Sequence, residues 1–254
     1  TPLYSSAASD VYKRQRYNED VDAAVRSGAF ASGLDHYLKY GRLEGRSVGS
    51  FNEFFYRLDG KKGNVDVRNA VEQGVFFNGF EHYEKSGKFE GRLARFTGTR
   101  GNDRIVATGA NTELSGLPSR LVGCQSGGTP TGGQCTDWGD LGIAQVDTLV
   151  GGEGSDRFIL GQTTTFKVNS TVANFYLNGN SDYAVIENFD PNHDRLLLNG
   201  PPSFYQAVPA GDRLELYQTK VQYGSFSIDA STLSSPDLVA VITNPPGSSL
   251  DLRQ

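Results

Sequence analysis

The chain has 254 residues, with 24 Lys and Arg against 29 Asp and Glu (formal net charge −5), 31 Gly, 2 Cys and no Met. No apolar run is long enough for a membrane-spanning helix. Gly at roughly 12%, against a usual ~7%, lacks the three-residue period of collagen and points instead to turn-rich β structure. Charge divides the chain: residues 16–97 hold 13 basic and 12 acidic groups, while residues 98–254 hold 9 and 16, of which 12 are Asp. An Asp-rich, Gly-rich segment is a poor partner for nucleic acid, which needs clustered cations. It suits hard cations, whose oxygen ligands are short carboxylates and turn carbonyls.

Residues 1–15 stand apart. Asp10-Val-Tyr-Lys-Arg-Gln15 resembles the translation of a transposase-based sequencing adapter, so 1–15 is read as an artefactual leader and excluded from fold reasoning. With no Met anywhere, the chain is read as a metagenomic fragment of a longer protein.

Residues 16–93 contain a duplication. Slid by 46 residues, 24–46 (AVRSGAFASGLDHYLKYGRLEGR) matches 70–92 (AVEQGVFFNGFEHYEKSGKFEGR) at 12 of 23 positions. Each copy reads as a helix through Val25 or Val71 stopped at Gly28 or Gly74. A second helix then carries His36-Tyr37 or His82-Tyr83, with Gly41 or Gly87 as a left-handed C-cap. Phe30, Leu34 and Tyr37 recur at helical spacing as Phe76, Phe80 and Tyr83 and form the expected apolar face. Copy two has an upstream arm, Phe51-Asn-Glu-Phe-Phe-Tyr56. The imidazoles of His36 and His82 are expected to pack beside Tyr and bond a backbone carbonyl rather than hold metal. Glu44, Arg46, Glu90 and Arg92 are expected to be capping and ion-pair residues. The Gly-x-x-Glu-Gly-Arg endings resemble a repeat met in large secreted bacterial proteins, which implies a spacer or interaction module.

From Phe96 onward short β-type runs alternate with Gly, Asn and Asp. Gly151-Gly-Glu-Gly-Ser-Asp-Arg-Phe-Ile159 matches the nonapeptide G-G-x-G-x-D-x-U-x in full, and Gly98-Thr-Arg-Gly-Asn-Asp-Arg-Ile-Val106 matches it in part. The glycines permit a tight turn whose carbonyls face an ion, the Asp supplies a carboxylate, and the apolar residue folds inward. This segment resembles the RTX (repeats-in-toxin, hemolysin-type) parallel β-roll. The resemblance implies Ca²⁺ as cofactor, with Gly152, Gly154, Asp156, Asn174, Asp147, Asn102 and Asp103 as candidate ligands. It also implies opposing loops eighteen residues apart, which would set Asp156 between Asn174 and Trp138, and Asp147 between Thr165 and Thr129.

Cys124 and Cys135 flank a Gly/Pro loop that a disulfide could close, worth on the order of 3 kcal/mol in an oxidising compartment. From about residue 178, Asp182-Tyr-Ala-Val-Ile-Glu-Asn-Phe-Asp-Pro-Asn-His-Asp194-Arg-Leu-Leu-Leu resembles a segment that follows RTX repeats in secreted, particularly cyanobacterial, proteins. Its alternating runs are read as a capping set of strands over 178–254. Asp190–Asp194 fails as an EF-hand loop and reads as an Asx turn between strands.

The fold expected is mainly β with a small α-helical N-terminal region. Two helical-hairpin repeats (16–93) precede an RTX-like parallel β-roll or β-solenoid domain (94–254) capped by C-terminal strands. No G-x-S-x-G, H-E-x-x-H or P-loop is present. The function expected is a non-catalytic calcium-binding module of a secreted or cell-surface bacterial protein. Its partners would be calcium ions, the type I secretion machinery and surface polysaccharide, without nucleic acid or a membrane span. The alternatives are an adhesive or carbohydrate-binding module, with Trp138, Tyr176 and Tyr183 as candidate aromatics, and part of a polysaccharide-active enzyme.

Overall fold

A computed structural model describes residues 19–46, 50–58, 63–99, 101–117, 144–162, 173–174, 176, 179–198, 200–223, 226–229 and 236–243. The leader 1–15, the Cys124–Cys135 loop, Thr129, Trp138 and Thr165 lie outside these residues. The expectation of a mainly β chain gives way to mixed helix and strand, because helices fill most of the first third. The described sheets form no closed barrel.

Both copies of the duplication fold alike. Helix α1 (Glu19–Arg26) and α4 (Val65–Glu72) end before Gly28 (φ +79°) and Gly74 (φ +76°), where only glycine takes the left-handed turn without strain. A short helix follows, α2 (Gly33–His36) or α5 (Gly79–His82), and runs into a wide π-type turn over Tyr37–Gly41 or Tyr83–Gly87. The sequence places the left-handed cap at Gly41 and Gly87. In the structure it falls four residues later, at Gly45 (φ +75°) and Gly91 (φ +69°), because the π turn delays the helix end. The Glu-Gly-Arg endings then clasp each unit: Arg46 pairs with Glu44 (2.6 Å) and Asp20 (2.5 Å), Arg92 with Glu90 (2.5 Å) and Asp66 (2.8 Å).

The arm of copy two forms α3 (Glu53–Arg57), N-capped by Asn52, whose Oδ1 accepts the Phe55 N–H at 2.9 Å. Phe51 bridges antiparallel to Phe96, and Phe51, Tyr56, Tyr83 and Phe96 pack ring against ring. The helical unit therefore covers one edge of a sheet, and one hydrophobic core runs from Val67 and Val71 through these rings into the strands.

Beyond residue 94 the chain alternates between two sheets. Strands β1 (Ala94–Thr97), β3 (Asn111–Ser115), β5 (Ser155–Ile159) and β9 (Arg195–Leu197) form an all-parallel sheet in that order. Strands β2 (Arg104–Val106), β4 (Val146–Val150), β8 (Tyr183–Glu187) and β14 (Asp237–Thr243) form parallel rows in the other. That sheet continues antiparallel through β11 (Arg213–Gln218) and β10 (Tyr205–Ala210). Two further two-stranded sheets are formed by β6 (Gly161–Gln162) with β7 (Ala173–Asn174) and by the hairpin of β12 (Lys220–Tyr223) with β13 (Phe226–Asp229). Leu114, Phe158 and Leu196 stack from one sheet toward Ile105, Leu149, Ile186 and Ile242 of the other, all at most 6% exposed. That stack is the β core.

Candidate metal centre and its aspartates

An Asp begins strand after strand: Asp103-Arg-Ile, Asp147-Thr-Leu, Asp156-Arg-Phe and Asp194-Arg-Leu each set a carboxylate two residues before an inward apolar side chain. Period-two alternation puts both on one face, so the carboxylate is carried into the interior with the hydrophobe. Asp147, Asp156, Asp182 and Asp194 are 0%, 1%, 0% and 3% exposed. Charges so deeply buried need donors, and the preceding turn of the chain supplies them. Asp103 N–H donates to Asp147 Oδ1 (2.9 Å), Ala144 N–H to Asp182 Oδ2 (2.9 Å), and Asp156 N–H to Asp194 Oδ1 (2.8 Å). The Thr112 hydroxyl donates to Asp156 Oδ1.

The candidate ligands enter this ladder individually. Asp147 Oδ2 accepts the hydroxyl of Tyr176, a fully buried residue, at 2.7 Å. The half-buried Asp103 turns back on its own loop, its Oδ2 accepting Thr99 N–H (2.5 Å) and Oγ1–H (2.8 Å). Exposed Asn102 accepts Val146 N–H at 2.9 Å. Gly154 holds φ +92°, and a Cβ on Gly152 would meet the Gly109 carbonyl at 2.5 Å, so the two glycines allow neighbouring turns to touch. The backbone of Asn174 pairs with Gly161 in β7.

The opposing-loop spacing differs from the expected eighteen. It holds only at the start, where Ala94 aligns with Thr112 and Arg95 pairs with Glu113 eighteen residues on. Asp156 is instead opposed by Thr112, 44 residues earlier, and by Asp194, 38 residues later; Asn174 does not face it. The long connections after Leu117 and Gln162 stretch the later turns while preserving phase, since position six of each nonapeptide, Asp103 and Asp147 or Thr112 and Asp156, still falls on the same row.

Burial dominates the acid–base behaviour. It pushes the Asp147 carboxyl up to about 6, against the lowering effect of the Tyr176 and Asp103 donors, with the Asp103 charge adding to the rise. Asp156 and Asp194 are raised for the same reason. Asp237 is pushed up to about 6 by burial and then by the charge of Asp182. The carboxylate oxygens Asp156 Oδ2 and Asp237 Oδ1 are buried without a well-aligned hydrogen bond, although the backbone N–H groups of Gly152 and Gly179 stand close enough to these two carboxyls to lower them in part.

A calcium ion fits this donor set only in part. The under-bonded Asp156 Oδ2 is what a hard cation would complete. The carbonyls of Gly151 and Gly152, however, both accept the Asn188 side-chain amide at 2.9 Å. Among the described residues, no group of three or more His, Cys, Asp or Glu is placed to hold a metal ion. Asn188 (φ +59°), Thr112, Asp182 and Asp237 were not among the sequence candidates, and Tyr176 was one only as an aromatic of a carbohydrate-binding surface, not as a partner of Asp147. The Asp-x-apolar recurrence could have found Asp182 and Asp237; nothing local marks Asn188.

The remaining sequence candidates resolve simply. Asp190–Asp194 is an Asx turn, Asn192 N–H donating to Asp190 Oδ1 at 2.9 Å. His82 packs against Phe76 and shares a hydrogen bond of 3.0 Å with the Tyr56 hydroxyl in place of the expected carbonyl. His36 packs edge-to-face on the Phe30 ring, with Tyr40 in contact with both. An open cleft of about 980 Å³ is lined by Glu187, Asp190 and Asp212 among others. Arg104 holds Glu187 below the usual carboxylate range, and His193 does so for Asp190. Neither has the raised pKa of a general acid. No helix among the described residues is long and apolar enough to cross a membrane. No family model matches the chain, and no curated protein matches it.

Proposed function

We propose that this chain is a non-catalytic structural module of a secreted or cell-surface bacterial protein, an RTX-like β-roll whose leading edge is covered by paired helical repeats. The observation that carries the reading is the alternation of the chain between two sheets whose first rows are parallel, with an Asp at the entry to β4, β5 and β9, Asp147 and Asp156 standing nine residues apart as in the nonapeptide. In this reading the aspartates serve as internal caps. Each carboxylate accepts a donor from the turn before, so the strand entries are tied together in a row. The burial of Tyr176 removes one of three aromatics an adhesive platform would use.

A second reading, calcium-coupled folding, is favoured by one observation: the buried, under-bonded Oδ2 of Asp156 within the complete nonapeptide. Ca²⁺ there would stabilise the folded state by mass action, with Asp156 and the Gly152–Gly154 turn as the residues to hold it. Export through type I machinery and contact with surface polysaccharide belong to this reading.

One titration separates the two. Circular dichroism and thermal melts of the chain are followed as Ca²⁺ is raised, with Mg²⁺ as control and Asp156→Ala alongside. A β signal and melting temperature indifferent to Ca²⁺ support the self-capped scaffold. A Ca²⁺-specific rise that Asp156→Ala weakens supports calcium-coupled folding. Unfolding transitions of the strands that track loss of activity on a polysaccharide substrate would overturn both.

A further inference from the structure

One level of the all-parallel sheet carries a row of charge on its outer face. The register sets Arg95 beside Glu113, Glu113 beside Arg157, and Arg157 beside Arg195, one residue from each of β1, β3, β5 and β9. Period-two alternation turns these side chains away from Phe96, Leu114, Phe158 and Leu196, their buried neighbours along each strand. Three guanidinium groups thus face a single carboxylate, and they share it unequally. Arg95 lies over the Phe55 ring at 4.0 Å and donates twice to Glu113 Oε2, at 2.8 and 2.6 Å. Arg157, its side chain 41% exposed, comes no nearer than 3.6 Å to Glu113 Oε1, too far for a hydrogen bond. The exposed Arg195 makes no ion pair among the described residues and donates to the neutral carbonyl of Asp194 at 2.7 Å. The carboxylates of Asp156 and Asp194, adjacent in sequence to these two arginines, are buried on the inner side and compensate neither. Like charges set directly opposite on neighbouring strands destabilise a sheet, so the Arg157–Arg195 pair lacks a counter-charge on its own face.

We propose that Arg157 and Arg195 form a clamp for a tetrahedral oxyanion, a phosphate or sulfate group, on the outer face of the parallel sheet. Neighbouring strands hold the two Cα atoms about 4.8 Å apart. Two planar guanidinium forks at that separation can each offer paired N–H donors to a different edge of one tetrahedral group. Three arginines against one glutamate leave two positive charges on the row, which matches a dianion. The exposed Ser155 lies on the same face of β5, two residues before Arg157, and brings a hydroxyl donor to the same side. A free phosphate ion and a phosphate ester on a sugar present the same group, and the clamp recognises what they share. The inference uses the outer face of the sheet and is independent of whether Asp156, on the inner face, holds calcium.

The test follows the arginine Nε–Hε signals of the full chain by NMR as inorganic phosphate or, separately, glucose 6-phosphate is added at constant ionic strength. The expected result is a saturable shift of the Arg157 and Arg195 signals, while that of Arg104, held by Glu187 at 2.6 Å, stays in place. Arg195→Gln should weaken binding by about tenfold or more. Arg195→Lys, which keeps the charge but loses the fork, should weaken it by a smaller factor. Thermal melts supply a readout of the opposite sign. Without the anion, Arg195→Gln should melt at or above the unaltered chain, because the opposed charges are relieved; with phosphate added, only the unaltered chain should gain. Tighter binding of glucose 6-phosphate than of inorganic phosphate would identify an ester as the source of the group, and the reverse order the free ion. Shifts that fail to saturate, that spread to Arg104 or that survive Arg195→Gln would overturn the proposal. So would a lower melting temperature of Arg195→Gln without the anion, since the arginine would then serve the fold itself.

Discussion

The Tyr176 hydroxyl donates to Asp147 Oδ2 at 2.7 Å, and both side chains are completely buried. The contact joins a residue in an irregular connection to the carboxylate at the start of β4, so one side chain from outside the strands completes the donor set of the ladder. Gly116 permits it: a Cβ there would overlap both the carboxylate and the phenol oxygen. Tyr176→Phe removes the donor and leaves a buried oxygen unpaired. The expected loss is about 1–3 kcal/mol, read as a lower midpoint in denaturant at unchanged slope. An unaltered midpoint would mean that water replaces the phenol.

The pH dependence follows from the same carboxylate. Its folded pKa of about 6 lies above the unfolded value of about 3.9, so the folded chain binds the proton more tightly than the unfolded one. The contribution to stability is fully present below pH 4 and is lost as the pH rises through 6. Asp237, also near 6, acts in the same direction. Asp20, Asp35 and Asp66, lowered by Arg or Lys partners, act oppositely, but below their unfolded pKa. The melting temperature without added metal should therefore fall between pH 5 and pH 7, and Asp147→Asn should flatten the slope. A melting temperature that climbs over that interval would contradict the buried-carboxylate account.

Much of this arrangement is legible in the sequence, and the parts that are not share a cause. The helix stops at Gly28 and Gly74, the arm at Phe51–Tyr56, and position six of the nonapeptide all fall where local pattern puts them, because each depends on a few adjacent residues. The cap at Gly45 is missed because a π turn looks, in sequence, like one more turn of helix. The partner of Asp156 is missed because the spacing between neighbouring parallel strands counts the residues in their connections. Forty-four separate it from Thr112, and no periodicity announces an insertion. Asn188 is missed for a related reason: its φ of +59° and its amide bridge to Gly151 and Gly152 are created by the turn it meets across the fold.

That bridge can be tested by separating its two roles. Asn188→Gly keeps the left-handed backbone free of strain and loses only the side-chain bonds, while Asn188→Ala loses both. The Gly variant should cost about 1–2 kcal/mol for two carbonyls partly released to solvent. The Ala variant should cost a further ~1 kcal/mol for its positive φ. Equal losses in thermal or denaturant unfolding would mean that only the hydrogen bonds matter. In the calcium-coupled reading, Asn188→Gly frees the two carbonyls and should also increase the Ca²⁺ response.

Gly41 and Gly87 occupy equivalent places in the duplication, yet they should respond in opposite ways to the same change. Neither sits at positive φ, since the left-handed turns fall at Gly45 and Gly91, so Ala suits the backbone of both. At Gly41 the new methyl meets the Tyr37 ring at 3.1 Å, a contact that a small ring shift relieves. The helix-propensity gain of about 0.5–1 kcal/mol then offsets it. At Gly87 the methyl enters the space of the Tyr56 hydroxyl and must break its bond to His82 or displace α3 from the core. Overpacking of that kind costs about 1–3 kcal/mol, and because Tyr56 also packs on Phe51 and Tyr83, the loss should reach the edge of the sheet at Phe96. Chemical denaturation of the two variants side by side should show Gly41→Ala within about 0.5 kcal/mol of the unaltered chain and Gly87→Ala clearly below it. Hydrogen exchange should then place the added opening of Gly87→Ala at residues 51–57 and 94–97. Equal destabilisation of the two would mean that Gly87 is kept for its backbone and that the Tyr56 hydroxyl is free to move aside.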